Sequence, residues 1–389
     1  MKKISLSEAL EGIEDARRDR SILYPLHEIL LIVLLGVMCG ATSYLKIELF
    51  GKSKETWLKK FMVLEYGIPD ACTMRNVIKE IDTKKLHEIF VEWTKSMAVN
   101  IFGVVAVDGK EARRTKDKEK KPLHVVSAFS HKFGLVLGQL ACEEKSNEIT
   151  AIPKLLKMLE LKGCIVTIDA MGTQKEIAET IVEKEADYCL SLKENQGNLY
   201  NDVKLYTETE IFTVKRSELS KNGQYHRDIE KGHGRIEKRE YFVCNDVSWI
   251  EYATEWKNLH GFGVCVATIE KDGKVTVSHN YSIYSVKNMT AAQFAECKRG
   301  HWAVENSLHW VLDMVFREDE SRARADNSAE NLNVFRQMAF NILKCETSFK
   351  GGISDKQFNC LLDERYFEKI LHAWICSLFV YSLKNRVCH

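Results

Sequence analysis

Two aspartates and one glutamate have the types and setting to do chemistry together. Asp108 closes the short apolar run "VVAVDGK", and Asp169 closes a second, "CIVTIDAMG". Glu305 lies in "RGHWAVENSLHWVLDMVFREDESRAR", residues 299 to 324, a stretch with helical spacing. Carboxylates are hard oxygen donors, and three of them suit Mg²⁺ or Mn²⁺, which keep positions open for water and substrate oxygens. Two such ions can activate a water or a 3′-hydroxyl, hold a phosphate and stabilise the leaving oxygen. Each residue also has a plainer reading. An aspartate at a strand end makes a turn or caps the next helix, and a glutamate beside a buried face makes a rim salt bridge.

The elements that must carry these residues follow from the apolar pattern. Val304, Leu308, Val311, Leu312 and Val315 form a helical stripe facing a core, with Glu305 at its edge between His301 and His309. After Gly103 the order of elements reads strand, strand, strand, helix, strand, helix, strand: "HVVSAFS" and "GLVLGQLAC" pair across the turn "HKFG", and "DYCLSLK" closes the series. That order predicts a mixed sheet with helices on its faces. Thr173 and Glu176 read as a capping box for the helix after Asp169, which leaves Asp169 over at the carboxyl end of a buried strand, where ligand sites of α/β sheets open. If the strands of Asp108 and Asp169 are neighbours, their charges converge and a divalent cation is the ordinary remedy.

Residues 1–98 read as a helical unit, with Thr73 as a cap after the turn at Pro69 and Asp70. Residues 99–346 read as the catalytic domain, interrupted by an alternating, turn-rich insertion at about 196–287 in which Lys-Asp-Gly marks a hairpin, and residues 347–389 read as a helical C-terminal segment. The chain has 389 residues, 45% of them hydrophobic, with a formal net charge of +1, so a nucleic-acid surface must segregate its charge locally. Its 12 cysteines include no CxxC pair, and the N-terminus has no apolar signal core. The cysteines read as reduced, small hydrophobes of a cytosolic protein. The run Ile29–Ala41 reads as a buried helix, too short to span a membrane.

Several separated motifs, in order, resemble the DDE transposases of bacterial insertion sequences, of the type associated with H-repeats. "VAVDGKEARRT" is similar to that family's first-aspartate segment, "IDAMGTQ" to its second and "HWAVENSLHWVLDMVFREDESRAR" to its glutamate helix. "LKENQ" and "HGRIEKR" resemble the end of the following strand and the insertion, and "YPLHEILLIVLLGVMCGATSYLKIELF" with "GIPDACTMRNVIKEID" the N-terminal associated domain. The resemblance implies an RNase H-like mixed sheet, catalysis and metal ligation by Asp108, Asp169 and Glu305, Mg²⁺ or Mn²⁺ as a pair of ions, and DNA as partner. It implies binding of terminal inverted repeats, joining of 3′-hydroxyl ends to target DNA, and a homodimer on paired ends in the bacterial cytosol or nucleoid. Related enzymes carry a tyrosine, an arginine and a lysine around the glutamate; by spacing those positions here hold Lys298, His301 and Leu312.

Among basic residues, Lys110, Arg113 and Arg114 stand nearest Asp108 and read as phosphate contacts, with Lys116, Lys118, Lys120 and Lys121 left to solvent. His233, Arg235, Lys238 and Arg239 of "KGHGRIEKR" read as a glycine-bracketed loop pressed on DNA. His301 and Trp302 flank the catalytic turn, and Trp302 is suited either to stack on an unpaired base or to the core. His309, Trp310 and Asp313 read as structural, and Arg322 and Arg324 as ion-pair partners of Glu318 and Asp319. Two other functions fit the same residues: a DNA-binding protein without catalysis, and an RNase H-fold nuclease that cuts without joining.

Overall fold

The computed structural model describes residues 5–17, 22–97, 101–116, 121–142, 148–232 and 234–375. Alternating apolar runs become nine strands: β1 (Gly103–Ala112), β2 (Leu123–Ser130), β3 (Leu135–Cys142), β4 (Cys164–Ile168), β5 (Asp187–Leu192), β6 (Tyr225–Gly232), β7 (Arg235–Cys244), β8 (Gly261–Lys271) and β9 (Lys274–Tyr284). They form one sheet in the order β3-β2-β1-β4-β5-β9-β8-β7-β6. β1, β4 and β5 run parallel, while β2, β3 and β9 are antiparallel to their neighbours. This is the mixed sheet with flanking helices that the RNase H-like resemblance implies.

The region read as turn-rich departs from that reading in its first third. Residues Gly197–Thr209 and Arg216–Lys221 are helices, and only then do β6 to β9 follow. Those strands extend the central sheet through the β5–β9 pair. The Lys-Asp-Gly hairpin forms as expected, with Asp272 and Gly273 both at positive φ, as a tight turn of that kind requires.

Strand alternation assigns each face. Val105 and Val107 of β1 point with Val166 and Ile168 of β4 into a core shared with helices Glu148–Met158 and Lys175–Glu183. Val104, with Cys189 and Tyr284, faces helix Ala291–Val304 on the opposite side. Ala106 on that second side joins a third core built from helix Ser328–Cys345, the N-terminal helices and the buried side chains Val304, Leu308 and Leu312. Helix Leu26–Met38 lies wholly within it, buried from Glu28 to Met38. No helix among the described residues is long and apolar enough to cross a membrane.

One cap differs from the sequence reading. Helix Ala71–Glu80 is capped by Asp70, whose Oδ1 accepts the Thr73 N–H at 2.6 Å, so Thr73 is the third helical residue rather than the cap. Most described cysteines are buried and all are free thiols; Cys72 is the exposed exception.

Candidate active site at the ends of β1 and β4

The parallel β1–β4 pairing ends at Val107 opposite Ile168, so Asp108 follows the last pair within β1 and Asp169 is the first residue beyond β4. By alternation both leave on the side of Val104 and Thr167, toward helix Ala291–Val304. β1 runs on past Asp108, paired only with β2 as far as Ala112. Asp108 is thus inside its strand, at the point where its other neighbour falls away. Asp108 Oδ1 accepts its own neighbour's N–H, from Gly109, at 2.9 Å.

Asp169 does make the plainer turn. Its Oδ1 accepts the N–H groups of Met171 and Gly172, each at 3.1 Å. The expected capping box is absent. Thr173 Oγ donates instead to the carbonyls of Asp169 (3.1 Å) and Ser191 (2.6 Å), and Gln174 precedes the helix without a side-chain cap. The "LKENQ" segment straps this turn from the end of β5: Asn195 donates to the Ala170 carbonyl at 2.7 Å and Gln196 to that of Thr173 at 2.6 Å.

Glu305 reaches the same place because its helix lies unusually close to β1. A Cβ on Gly300 would stand 2.8 Å from Val104 Cγ1, so a side chain there would lift the helix off the strand. The helix is not regular beyond Val304. Residues Glu305–His309 form a π turn, in which Trp310 N–H donates to the Glu305 carbonyl, before helix Trp310–Met314. One extra residue per turn keeps Val304, Leu308 and Leu312 in line and buried, while Val311 and Val315 drift to the edge of the core. The Glu305 carboxylate is exposed to the cleft and has no ion-pair partner among the described residues.

Asp108, Asp169 and Glu305 line one cleft of about 1030 Å³. Burial pushes the Asp108 carboxyl up to about 7, against the pull of the Gly109 N–H, and the charges of Asp169, Glu305 and Glu148 add to the rise. Among the described residues no three His, Cys, Asp or Glu side chains stand close enough to grip an ion as they are. The donor set nevertheless fits a hard divalent cation: three carboxylates sharing a cleft, one of them held above its ordinary range by burial and by the neighbouring negative charges.

Two histidines of the glutamate helix stand near the aspartates. His301 Nδ1 is 3.2 Å from Thr167 Oγ, and burial lowers its ring to about 4. His309, read from the sequence as structural, places Nδ1 3.6 Å from Asp108 Oδ2. Burial, aided by Lys110, His301 and His124, lowers His309 to about 3, so the pair is a neutral imidazole beside a carboxyl group. Its spacing from Glu305, one turn on, was the available signal. Lys298 also lines the cleft, its Nζ donating to Ser282 Oγ at 3.2 Å and toward Ser191 Oγ at 3.4 Å.

The basic candidates divide. Lys110 does not present a free charge: Nζ pairs at 2.6 Å with both Asp313 Oδ1 and Glu318 Oε2, and Glu318 is 1% exposed. Arg113 and Arg114 are exposed, Arg113 Nε lying 3.5 Å from Asp319 Oδ2. Glu318 and Asp319 therefore serve Lys110 and Arg113, and Arg324 Nε donates to the Arg114 carbonyl at 3.1 Å. Arg235, Lys238 and Arg239 lie on β7 rather than on a loop; His233 is outside the described residues. Arg235 sits 3.3 Å from Glu237 and Lys238 2.7 Å from Glu240. Arg239 is buried between Glu237 (2.6 Å) and Glu230 (3.1 Å), with its guanidinium 4.9 Å from the Trp302 ring. Trp302 itself is 44% exposed on the cleft wall, which removes the core reading.

Residues 102–342 match the family described as Transposase DDE domain, and residues 7–94 match its companion, DDE_Tnp_1-associated. The chain belongs to the DDE transposases. It is 38% identical over 380 residues to "Putative transposase YncI" of Escherichia coli O157:H7, covering 96% of this chain and 95% of that one. It is also 38% identical over 377 residues to "H repeat-associated putative transposase YhhI" of Escherichia coli strain K12, covering 94% and 97%. Among solved structures, a piggyBac transposase synaptic complex with hairpin DNA aligns with 98% of this DDE transposase and 80% of that chain, at a TM-score of 0.40 and 11% identity. That likeness is too distant to transfer residue roles. Divalent-metal dependence is a general property that membership of this transposase family implies.

Proposed function

We propose that this transposase binds the terminal inverted repeats of its own insertion sequence, cuts phosphodiester bonds there and joins the 3′-hydroxyl ends to target DNA. The observation that carries the reading is the register of β1 and β4, which delivers Asp108 and Asp169 to one cleft with Glu305 on its wall. These three residues would hold Mg²⁺ or Mn²⁺, in our reading two ions. When bound, the ions supply activation of the attacking water or 3′-hydroxyl and stabilisation of the leaving oxygen.

The chain's own residues would do the rest. The Gly109 N–H and the Met171 and Gly172 N–H groups hold Oδ1 of each aspartate, and Oδ2, which on Asp108 also faces His309, would keep a lone pair for the cation. Arg113 and Arg114, exposed just past β1, would take phosphates, as would Arg235 and Lys238 along β7. Lys298 and His301 would line the path of the scissile strand, and the exposed face of Trp302, backed by Arg239, offers a platform to an unpaired base. The reaction acts on two ends, so a homodimer on paired ends is part of the proposal.

Incubation of labelled terminal-repeat DNA and a target plasmid with the protein and Mn²⁺ tests it. Joined product supports the transposase reading. Cleavage without joining would favour a nuclease, and retention of the ends without cleavage a purely DNA-binding protein.

A further inference from the structure

We propose that His309 is a positioning residue for Asp108, its Nδ1–H addressing Asp108 Oδ2 and fixing the carboxylate rotamer that serves the divalent cation. The inference rests on the reading of Asp108 as a metal ligand. Asp108 Oδ1 is already held by the Gly109 N–H at 2.9 Å, so the orientation of the group is decided at Oδ2, and His309 Nδ1 faces it at 3.6 Å. That separation is beyond a hydrogen bond, and a small side-chain rotation closes it.

The rest of the ring shows why an imidazole there needs a reason. His309 Nε2 is buried and has no hydrogen-bond partner among the described residues. A buried polar atom without a partner is destabilising by about 1–3 kcal/mol, a cost that a leucine in the same pocket would avoid. The tautomer follows from electrostatics. With the proton on Nδ1, an N–H dipole points at the carboxylate and the orphan is a lone pair. With the proton on Nε2, a lone pair faces the carboxylate and the orphan is a buried N–H, the rarer and more costly case. The first form lowers the energy of ionised Asp108 without adding a charge that would repel the cation.

The π turn supplies the placement. Glu305 and His309 are its first and last residues, so the widened turn stacks them nearly above one another along the helix and turns both toward β1. One turn further, Asp313 pairs with Lys110 of the same strand, two residues past Asp108. With the close approach of Gly300 to Val104 on the other side, helix and strand are held on either side of the His309–Asp108 approach. Groups just outside a ligand set commonly orient the ligand and tune affinity.

The experiment measures Mn²⁺ binding to the full chain without DNA, by the electron paramagnetic resonance signal of free Mn²⁺, for the parent, His309→Asn, His309→Gln and Asp108→Asn. The Asn amide nitrogen falls near the position of Nδ1, whereas that of Gln falls near Nε2. His309→Gln is expected to weaken Mn²⁺ binding about tenfold or more, and His309→Asn to stay within about threefold of the parent, the range expected for an orienting neighbour. Thermal unfolding without Mn²⁺ accompanies each variant, because a packing role would move stability and leave the Asn–Gln difference in Mn²⁺ binding at nothing. Equal Mn²⁺ binding by the two His309 variants, with Asp108→Asn abolishing it, overturns the inference alone. Undiminished binding by Asp108→Asn overturns the metal-site reading beneath it.

Discussion

Val107 and Ile168 are register partners in the parallel β1–β4 pair, so Asp108 and Asp169 emerge side by side although 61 residues apart in sequence. Alternation is in phase across a parallel pair, so two carboxylates one residue beyond the last pair must share a face. The cluster is unfavourable in the absence of a cation. It is a local conflict of the kind functional sites retain.

Asp108→Asn is expected to stabilise the protein at pH 8 in the presence of a chelator. The folded-state carboxyl titrates at about 7 and its ordinary value is 3.8, so the folded state binds the extra proton between these values. Stability is therefore lost as pH rises from about 4 through about 7 and stays lost above. Urea unfolding should show the variant more stable by on the order of 1–3 kcal/mol at pH 8, with most of the difference gone at pH 5. Equal gains at both pH values would contradict the assignment.

A group remote from the cleft sets an opposite slope. His87, buried in helix Thr83–Met97, is lowered by desolvation to about 4 from 6.5. The unfolded chain then binds the extra proton between those values, so stability is fully present above 6.5 and is lost as pH falls toward 4. His87→Gln should reduce the loss of urea stability between pH 7 and pH 5 by about 1–2 kcal/mol. Parallel curves for parent and variant would remove His87 from the acid transition.

Lys110 and the arginine pair are expected to separate structure from DNA contact. Lys110→Met takes the ion-pair partner from one oxygen of the buried Glu318, leaving the Asn333 amide on the other, and should be destabilising by about 3 kcal/mol in urea unfolding. Arg113→Ala with Arg114→Ala should leave unfolding unchanged and reduce the slope of log affinity against log salt by about 1.8, the value for two phosphates. An unaltered slope would take both arginines off the DNA path.

What the sequence disclosed followed from local periodicity. Apolar runs ending in Asp108 and Asp169, and a stripe with Glu305 on its edge, pick out the three carboxylates; that the two strands adjoin is a condition there, which the β1–β4 register meets. Long-range pairing was beyond that reach. Lys110 finds Asp313 and Glu318 only after the glutamate helix docks on β1, and Arg239 is buried because β7 is a strand flanked on both sides. The π turn has no sequence signature of its own, so from sequence His309 reads as structural. Gly300 was a signal left unused, since a glycine inside a helix often marks a close approach, here to Val104. Asp70 outcompeted Thr73 as a cap because its carboxylate already stood at the first helical turn.

The measurement nearest the central claim is cleavage and joining of terminal-repeat DNA by Glu305→Gln, Asp108→Asn and Asp169→Asn, alongside DNA binding by the same proteins. If the three carboxylates act as one metal-holding unit, each variant loses activity by several orders of magnitude, and a double variant is no worse than a single one. Binding of the ends persists, because phosphate contacts elsewhere carry it. Near-parental cleavage and joining by a folded Glu305→Gln protein would contradict the account.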